Sequence, residues 1–371
     1  MKKVIIGLSG GVDSAVAVIL LQQQGYLVEG MFMRNWDSSI NNDILGNPND
    51  PRDICPQEKD YMDALEVANL LNIKLHRVDF VEEYWERVFT YFLDEYRHNR
   101  TPNPDILCNK EIKFKAFLEK AFEYGCDYIA MGHYARVNHS PKVELLRGLD
   151  NNKDQSYFLS QLNKTQLSKS LFPIGHLTKP EVRELANKYH LNVANKKDST
   201  GVCFIGERNF KQFLTNYLPA QTGEMRDLKG NVVGRHDGIM YYTIGQRHGL
   251  GIGGAGDPWF VCGKIPSENV LLVDQGSNQD YLYSNKCLVI NVNWLGDKFD
   301  GWRECTAKFR YRQKDVNVKV RFLSEDKMEV VYPEKSKAVT PGQACVFYDG
   351  DVVLGGSTID EVFMDDNKRL Y

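Results

Sequence analysis

A glycine-rich turn near the N-terminus has the composition of a phosphate-binding loop. The run Ser9-Gly10-Gly11-Val12-Asp13-Ser14 follows a short apolar stretch and precedes residues with helical spacing. Two adjacent glycines let the backbone turn its N–H groups towards an anion, and the N-terminus of the next helix adds a partial positive charge. The lysine of the GxxxxGK[ST] loop of kinases is missing. The run therefore predicts a pyrophosphate cradle, with a simple capped glycine turn as the alternative.

Two of the eight cysteines lie where a thiol can take part in chemistry. A predicted helix starts with Asn103 as N-cap and Pro104 as its first residue, which places Asp105 and Cys108 on adjacent parts of one face. A carboxylate there can take a proton from the thiol or from a substrate. The alternative is a capping Asp105 and a small buried Cys108, and the like charge of Asp105 also opposes a thiolate.

The second cysteine, Cys203, lies in the run 198–206, which is rich in Ser, Thr and Gly. We predict a loop there, because loop residues are more available to chemistry than residues on an apolar helix face. No pair of cysteines has CxxC spacing, and no Cys/His cluster has the spacing of zinc ligands. The sequence therefore predicts no metal site.

A run of alternating cations suggests a surface for a polyanion. The formal net charge of −3 gives no reason by itself to expect a nucleic acid, so any such partner needs a local patch. A strand is predicted over 305–312, and if its alternation continues to residue 314, alternate side chains face the same side and four cations share one face. An ordinary solvated strand face is the equally weighted alternative. The cations are Lys308, Arg310, Arg312 and Lys314.

A second glycine-rich run, residues 249–254, fits the GxGxxG spacing of dinucleotide sites. No helix is predicted after it, because residues 255–258 continue as a turn. A dinucleotide-binding loop must open a helix. We therefore predict a surface turn rather than a cofactor site.

The predicted secondary-structure elements that position these residues follow two different patterns, one in each half of the chain. Apolar runs and helical patterns alternate up to about residue 205, which predicts a doubly wound parallel sheet with ligands at the carboxyl ends of its strands. From residue 221 onward short runs alternate with glycine turns, which predicts β structure ending in a small barrel. The predicted domains are 1–205, 206–285 and 286–371. Helices are predicted at 60–71, 82–99, 110–124, 154–168 and 179–189. The predicted barrel strands include 316–323 and 344–348, and residues 365–371 are predicted to form a loose tail.

Composition places the chain among ordinary globular proteins. It has 371 residues, 42% of them hydrophobic and 26% charged. These values exclude a disordered chain and a coiled coil. No apolar run approaches the length of a membrane span, and the first residues do not have the pattern of a signal peptide. We expect a cytosolic protein whose cysteines are mostly reduced, buried thiols.

The loop and several longer motifs together resemble a known enzyme family. SGGVDS is the signature of the PP-loop ATP pyrophosphatases, and the whole set is similar to the bacterial tRNA-specific 2-thiouridylase (MnmA) family, in the same order along the chain. The motifs are GLSGGVDS (7–14), MFMRNW (31–36), TPNPDILCNKEIKF (101–114), MGHYAR (131–136), KDQSYFL (153–159), DSTGVCFIGER (198–208) and YTIGQRHGLGI (242–252).

This resemblance implies a PP-loop adenine-nucleotide α-hydrolase-like domain, a small β-rich middle domain and a C-terminal β-barrel. It implies 2-thiolation of the wobble uridine of tRNA, with adenylation of the uracil C2 oxygen by ATP, accompanied by Mg²⁺, and sulfur delivered through a cysteine persulfide. The persulfide sulfur comes from a cysteine desulfurase or a relay protein.

The resemblance also assigns roles to residues. Cys203 carries the persulfide, Cys108 is the other catalytic thiol and Asp105 is the candidate general base. The implied ATP-binding residues are Gly7, Leu8, Ser9, Gly10, Gly11, Val12, Asp13, Ser14, Met33 and Gly132. The implied tRNA-binding residues are Asn103, Pro104, Asp105, Lys153, Asp154, Gln155, Arg310, Tyr311 and Arg312.

Two rival functions stay open at this point. A PP-loop ligase or amidotransferase acting on a small-molecule carbonyl would use the same loop, without need of the two cysteines or the basic run. A non-catalytic RNA-binding protein would use the basic run, and the intact Asp13 argues against it. Release of AMP that depends on tRNA separates both rivals from a tRNA thiolase.

Overall fold

The computed structural model of the chain describes residues 1–43, 56–197, 210–276 and 280–371. The chain divides into two compact units. Unit 1 comprises Met1–Phe89, Pro104–Asn209 and Asp351–Val353, and unit 2 comprises Thr90–Asn103, Phe210–Gly350 and Leu354–Tyr371. In the described ranges, no helix is long and apolar enough to cross a membrane.

Unit 1 is built on a five-stranded parallel sheet with the order β3-β2-β1-β4-β7. Valine and isoleucine fill its central strand, whose side chains are fully buried at Val4, Ile5 and Ile6. A near-continuous apolar run is what a strand covered on both faces requires. The strands are β1 (Lys3–Gly7), β2 (Leu27–Arg34), β3 (Leu75–Asp79), β4 (Tyr128–Ala130) and β7 (Ser170–Leu171). The predicted doubly wound α/β sheet is confirmed.

Helices connect these strands, and an antiparallel hairpin pairs with Asp351–Val353 through a contact between Leu146 and Val352. The helices of unit 1 are α1 (Val12–Gln23), α2 (Pro56–Leu70), α3 (Val81–Tyr84), a π-helix (Trp85–Phe89), α5 (Pro104–Leu107), a second π-helix (Cys108–Ala116), α6 (Phe117–Glu123), α7 (Lys164–Ser168) and α8 (Lys179–Lys188). The hairpin strands are β5 (Ala135–Asn138) and β6 (Glu144–Arg147). The sequence pattern does not predict this hairpin.

The helix predicted over 154–168 is wrong in its middle. A 3₁₀ turn, Ser156–Leu159, and α7 are separated by residues 160–163. Asn163 starts α7 with a capping box: its side chain accepts from Gln166 N at 2.8 Å, and Gln166 Oε1 accepts from Asn163 N at 2.9 Å. Because this pair satisfies the first N–H groups of a new helix, the chain restarts there instead of continuing one long helix.

Unit 2 contains a four-stranded sheet with the order β10-β11-β8-β9. Its core is formed by Met225, Val261, Leu271, Val273 and their neighbours. The strands are β8 (Gly223–Arg226), β9 (Val232–His236), β10 (Trp259–Ile265) and β11 (Val270–Gln275), and the helices of unit 2 are α4 (Thr90–Arg97) and α9 (Phe210–Thr215), with 3₁₀ turns at Ile239–Tyr241, Pro266–Glu268 and Asp280–Leu282. The run 249–258 opens no helix, as predicted.

Six further strands close a barrel in unit 2. The order is β12-β15-β14-β13-β16-β17, and β17 also pairs with β12, which closes the ring. The strands are β12 (Tyr283–Trp294), β13 (Arg303–Lys308), β14 (Val316–Phe322), β15 (Lys327–Lys337), β16 (Ala344–Asp349) and β17 (Val352–Met364), and β18 (Asn367–Lys368) pairs with β17. The predicted C-terminal β-barrel is confirmed.

Two predictions about this region are wrong. Strand β13 ends at Lys308, so residues 309–314 form a turn and not the strand expected through 312. The last seven residues are not a loose tail, because Lys264 N donates to Leu370 O at 2.7 Å and the Tyr371 hydroxyl donates to Tyr281 O at 2.9 Å. The terminal tyrosine is half-buried and packs against the core of the four-stranded sheet.

Candidate active site

The parallel sheet of unit 1 creates a binding crevice where its strand order reverses. Strand β1 lies between β2 and β4, and the chain leaves β1 and β4 at the same edge. Ligands of open α/β sheets bind outside the carboxyl ends of the strands at such a point. The glycine loop follows β1 and the run Met131-Gly132-His133-Tyr134 follows β4. The fold therefore brings together two motifs that are far apart in sequence.

The glycine loop is folded tightly against its surroundings. Gly10 has φ of +72°, and a methyl group on it would lie 2.2 Å from the carbonyl oxygen of Asp60. Inside the loop, Ser9 N donates to Ser14 Oγ at 3.2 Å and Ser14 Oγ donates to Gly11 O at 3.1 Å. Only glycine fits the position of Gly10, because it alone tolerates both this φ and this approach.

Other predicted ATP-binding residues lie beside the loop. A methyl group on Gly132 would lie 2.8 Å from Ser14 N, so the chain after β4 touches the start of α1. A methyl group on Gly7 would lie 2.6 Å from Sδ of Met131 and 3.4 Å from Cε of Met33. The structure thus places Gly7, Met33 and Gly132 around one crevice with the glycine loop.

Asp13 is the charged centre of this crevice. Its two carboxylate oxygens accept hydrogen bonds from Lys179 Nζ at 2.8 and 2.9 Å, and the Tyr134 hydroxyl donates to Oδ1 at 2.7 Å. The Lys179 side chain is one-tenth exposed, whereas that of Asp13 is 30% exposed. A carboxylate at a helix N-terminus, held by a buried cation, can order that cation for a phosphate.

The sequence patterns do not predict Lys179 or Tyr134 as site residues. Lys179 is the first residue of α8, between Thr178 and Glu181, which form a capping box. In the sequence this lysine is indistinguishable from an ordinary helix-start residue, so no local signal could have found it. Tyr134 lies within a motif quoted for the family resemblance, next to the predicted Gly132.

A second cation supports the loop from the other side. Lys196 Nζ donates to Gly10 O at 3.0 Å, to Asp60 Oδ1 at 2.8 Å and to Asp63 Oδ2 at 2.5 Å. Burial alone would lower the pKa of Lys196, but its hydrogen bonds with the two carboxylates outweigh burial and raise the pKa. Lys196 therefore stays charged and fixes the loop backbone to α2.

The helix that carries Cys108 begins at Pro104, as predicted, and continues through a π-helical stretch to α6. Cys108 is a fully buried cysteine at the first π-helical position, and Asp105 is half-buried in the preceding turn. Asn109, the next residue, donates from Nδ2 to Phe158 O at 3.1 Å. π-helical turns are energetically less favourable than α-helical ones and occur often at functional sites.

His133, on the same β4 edge, is buried against aromatic rings. Its ring centroid lies 5.9 Å from that of Phe114 and 6.1 Å from that of Phe172. Nδ1 has no hydrogen-bond partner among the residues that the structure describes. Burial, helped by the positive charge of Lys113, lowers the pKa of His133 well below its ordinary value. The imidazole is therefore neutral and offers an open polar atom inside the unit.

The run Lys153-Asp154-Gln155 joins the crevice through its last residue. Gln155 N donates to Tyr134 O at 2.8 Å and Gln155 Oε1 accepts from Tyr134 N at 3.0 Å. The buried Asp154 carboxylate accepts from Gly148 N at 3.0 Å and from Ser156 N at 3.1 Å. The Asp154 carboxylate therefore fixes the backbone conformation of this segment. Gln155 is linked to Asp13 through Tyr134, which bonds both residues.

The basic run of unit 2 has a different geometry from the predicted one. Arg310 Nη2 donates to Ile244 O at 3.0 Å and to Ala338 O at 2.6 Å, so this half-buried guanidinium holds backbone of its own unit. Lys308 is half-buried over the Tyr348 ring, whereas Arg312 and Lys314 are exposed. The four cations do not form one strand face, because the strand ends at Lys308.

Cys203 and its loop lie outside the described residues, as does the run 198–206. Within the described ranges no group of three His, Cys, Asp or Glu side chains could hold a metal ion. Of the six cysteines that the structure describes, five are buried and Cys305 is partly exposed.

Comparison with known proteins gives matches along the whole chain. Family models described as "tRNA methyl transferase HUP domain", "tRNA methyl transferase PRC-barrel domain" and "Aminomethyltransferase beta-barrel domain" match residues 2–207, 211–275 and 284–359. Three curated relatives bear the name tRNA-specific 2-thiouridylase MnmA. That of Acholeplasma laidlawii is 57% identical over 100% of this chain and 99% of its own length, that of Bacillus cytotoxicus 57% over 100% and 97%, and that of Geobacillus thermodenitrificans 56% over 100% and 97%.

Proposed function

The chain belongs to the tRNA-specific 2-thiouridylase (MnmA) family, and we propose that it is a cytoplasmic enzyme that uses ATP to replace the C2 oxygen of the wobble uridine of tRNA by sulfur. The observation that carries the proposal is the full-length identity of 56–57% to relatives of that name. The crevice between β1 and β4, with its glycine loop, is the proposed nucleotide site for this reaction.

In the first step the uracil C2 oxygen attacks the α-phosphorus of ATP, and pyrophosphate leaves. The loop N–H groups from Ser9 to Ser14 and the N-terminus of α1 stabilise the negative charge on the departing phosphates. Lys179 can exchange one carboxylate contact with Asp13 for a phosphate oxygen. Met33 and Gly132 line the nucleotide. Mg²⁺ carried by ATP would be held mainly by the phosphates, with the partly exposed Asp13 carboxylate as its protein ligand, and would offset the phosphate charge.

Adenylation solves the chemical problem of this reaction. A carbonyl oxygen at C2 is a poor leaving group, whereas AMP is a good one. Asn103, Pro104 and Asp105 form the proposed site for the target base, and Asp105 is the proposed general base. An anticodon-loop base suits this site, because such a base can unstack to reach the enzyme.

Sulfur then displaces AMP. Cys203 is the proposed carrier of a persulfide loaded by a cysteine desulfurase or a relay protein. In one route the terminal persulfide sulfur attacks C2, AMP leaves, and Cys108 attacks Cys203 Sγ, so that the S–S bond breaks and the thiocarbonyl is released. In the other route Cys108 attacks Cys203 first and releases hydrosulfide, which attacks C2. Both routes leave a Cys108–Cys203 disulfide that a thiol reductant must reduce.

The tRNA backbone needs cations outside the nucleotide crevice. Lys153 and Gln155 of unit 1, and the turn Arg310-Tyr311-Arg312 of unit 2, are the proposed contacts. Because Arg312 is exposed and Arg310 holds backbone carbonyls, Arg312 is the better placed of the two to bind phosphate.

The test is to incubate the protein with tRNA, ATP, a desulfurase, cysteine and a thiol reductant. We expect 2-thiouridine in the digested tRNA, and AMP with pyrophosphate in amounts that depend on tRNA. ADP and phosphate as products would contradict the proposed loop chemistry. A methylated instead of a thiolated uridine would favour the activity named in the family-model descriptions, and tRNA-independent AMP would favour a small-molecule ligase.

The cysteine roles are tested with ³⁵S-labelled cysteine as the sulfur source. Cys203→Ala should take up no label and make no 2-thiouridine, yet still form adenylate. Cys108→Ala should take up label. It should make no 2-thiouridine if Cys108 must release hydrosulfide; if the persulfide attacks carbon directly, the added thiol reductant cleaves the C2–S–S–Cys203 link in place of Cys108 and thiolation is only slowed. Wild-type label and thiolation in Cys203→Ala would remove Cys203 from the mechanism.

A further inference from the structure

Residues 99–103, in the chain between α4 and α5, are bonded to other parts of unit 2 at Asn99, Arg100 and Thr101; we call residues 99–103 the clamped segment. Lys264 Nζ donates to Asn99 O at 2.8 Å. Thr101 N donates to Pro341 O at 3.0 Å, and Gln343 Nε2 donates to Thr101 O at 2.8 Å. Three backbone groups of a connecting segment are thus bonded to the four-stranded sheet and the barrel.

Arg100 makes the strongest of these contacts. Its Nη1 pairs with Asp360 Oδ1 at 2.8 Å, its Nε with Glu95 Oε2 at 2.9 Å, and its Nη2 donates to Ile359 O at 3.0 Å. The side chains of Arg100 and Asp360 are only 19% and 24% exposed. Three charge-assisted bonds from one planar guanidinium define both the position and the orientation of the segment.

Close packing gives the segment little room to move. Gly342 has φ of +88°, and a methyl group on it would lie 2.9 Å from the N, C and O atoms of Thr101. The turn that carries Gly342 therefore touches the backbone of Thr101 directly. These bonds and this packing restrict the conformational freedom of the segment relative to that of an ordinary connecting loop.

The clamped segment leads directly into the residues proposed to bind the target base. Asn103 follows it without a gap, and Pro104, Asp105 and Cys108 come next. We propose that the Arg100–Asp360 ion pair is a positioning element for thiolation, which holds the backbone immediately before the target-base residues in the conformation that the reaction needs. This inference rests on the proposed function. A displacement of about 1 Å at reacting groups can cost 100-fold in rate, so a backbone anchor a few residues away affects turnover.

The experiment compares three variants with the wild type. Asp360→Asn keeps the shape of the side chain and removes its charge, and Asp360→Glu restores the charge. Asp94→Asn is the matched control, because it breaks the Arg97–Asp94 pair on α4, where both side chains are about half exposed. We expect kcat for 2-thiouridine formation to fall on the order of tenfold in Asp360→Asn, with the Kd of ATP and of tRNA unchanged. Asp360→Glu should recover most of the loss, and Asp94→Asn should behave like the wild type.

A second variant covers the case in which Asp360→Asn does not fold. Arg100→Lys keeps the positive charge but lacks the planar fork, and the same fall in kcat is expected. Wild-type kcat in either variant, with only a lower melting temperature, would overturn the proposal, as would a parallel loss of ATP binding. Absence of 2-thiouridine with the wild-type protein contradicts the proposed function itself, whereas a fully active variant contradicts only the positioning role.

Discussion

The proposed nucleotide crevice of unit 1 and the basic turn of unit 2 use positive charge in opposite ways. Lys179 bonds a carboxylate, that of Asp13, whose side chain is 30% exposed. Arg310 bonds two backbone carbonyls, those of Ile244 and Ala338. A cation that faces a partly exposed side chain can exchange it for a phosphate. One that satisfies carbonyls cannot leave without the cost of unpaired acceptors. Charge in a sequence therefore predicts binding only when its partner is known.

Lys264, like Arg310, bonds a backbone carbonyl, but its side chain is almost completely buried. It is 3% exposed in strand β10 and donates to Asn99 O. Burial lowers its pKa from 10.5 to about 7. Unit 2 thus uses Arg310 and Lys264 to hold backbone carbonyls, whereas unit 1 gathers Lys179 and Lys196 around the glycine loop.

The largest expected effect comes from the crevice. Lys179→Met should lower tRNA-dependent AMP formation by roughly 100-fold or more, because a preorganised cation at a developing negative charge is lost. Asp13→Ala should have a similar effect, and tRNA binding should persist in both variants. Product release is followed with labelled ATP, and Lys188→Met, an exposed lysine on the same helix, is the control. If Lys179→Met forms AMP at the wild-type rate, Lys179 has a structural role, as Arg310 does, and no role in the reaction.

The next effect concerns stability and pH. In the folded protein Lys264 has a pKa of about 7 against 10.5 as an ordinary value, so between these pH values the unfolded chain binds one more proton. Because of Lys264 the free energy of unfolding therefore rises with pH between 7 and 10.5, by up to about 1.4 kcal/mol per pH unit. The same contribution is lost as the pH falls to 7. Denaturant unfolding from pH 7 to 9.5 should show this slope in the wild type and not in Lys264→Met. The exposed Lys298→Met should keep it, and equal slopes in all three would refute the assignment.

The smallest effect separates two neighbouring arginines. Arg310→Met should lower the free energy of unfolding by about 1–3 kcal/mol, because buried carbonyls lose their donor. Arg312→Met should leave stability unchanged and reduce the slope of log Kd for tRNA against log salt by about one unit or slightly less. Denaturant unfolding and tRNA binding at several salt concentrations measure the two quantities. If Arg310→Met changes only the salt slope, the contrast between the two units is wrong.

Local sequence was sufficient to predict the glycine loop, the helix start at Pro104 and the alternation of strands and helices in unit 1. Each depends on neighbouring residues: paired glycines for a turn, Asn followed by Pro for a helix start, and apolar runs for buried strands. The family resemblance also came from sequence, because seven motifs occur in one order. These properties determined the glycine loop at the sheet edge, the fold class with its C-terminal barrel, and the family.

Only the tertiary structure decided which other residues join the crevice and where the strands end. Lys179 and Tyr134 meet Asp13 because α8 and the chain after β4 reach the same sheet edge, and no local pattern encodes that meeting. Lys308 to Lys314 alternate as a strand would, yet Arg310 binds carbonyls of distant segments and the chain turns there. The C-terminal residues pair with β10 and β17 for the same reason: backbone hydrogen bonds and burial between segments far apart in sequence outweigh the local preference for a polar tail.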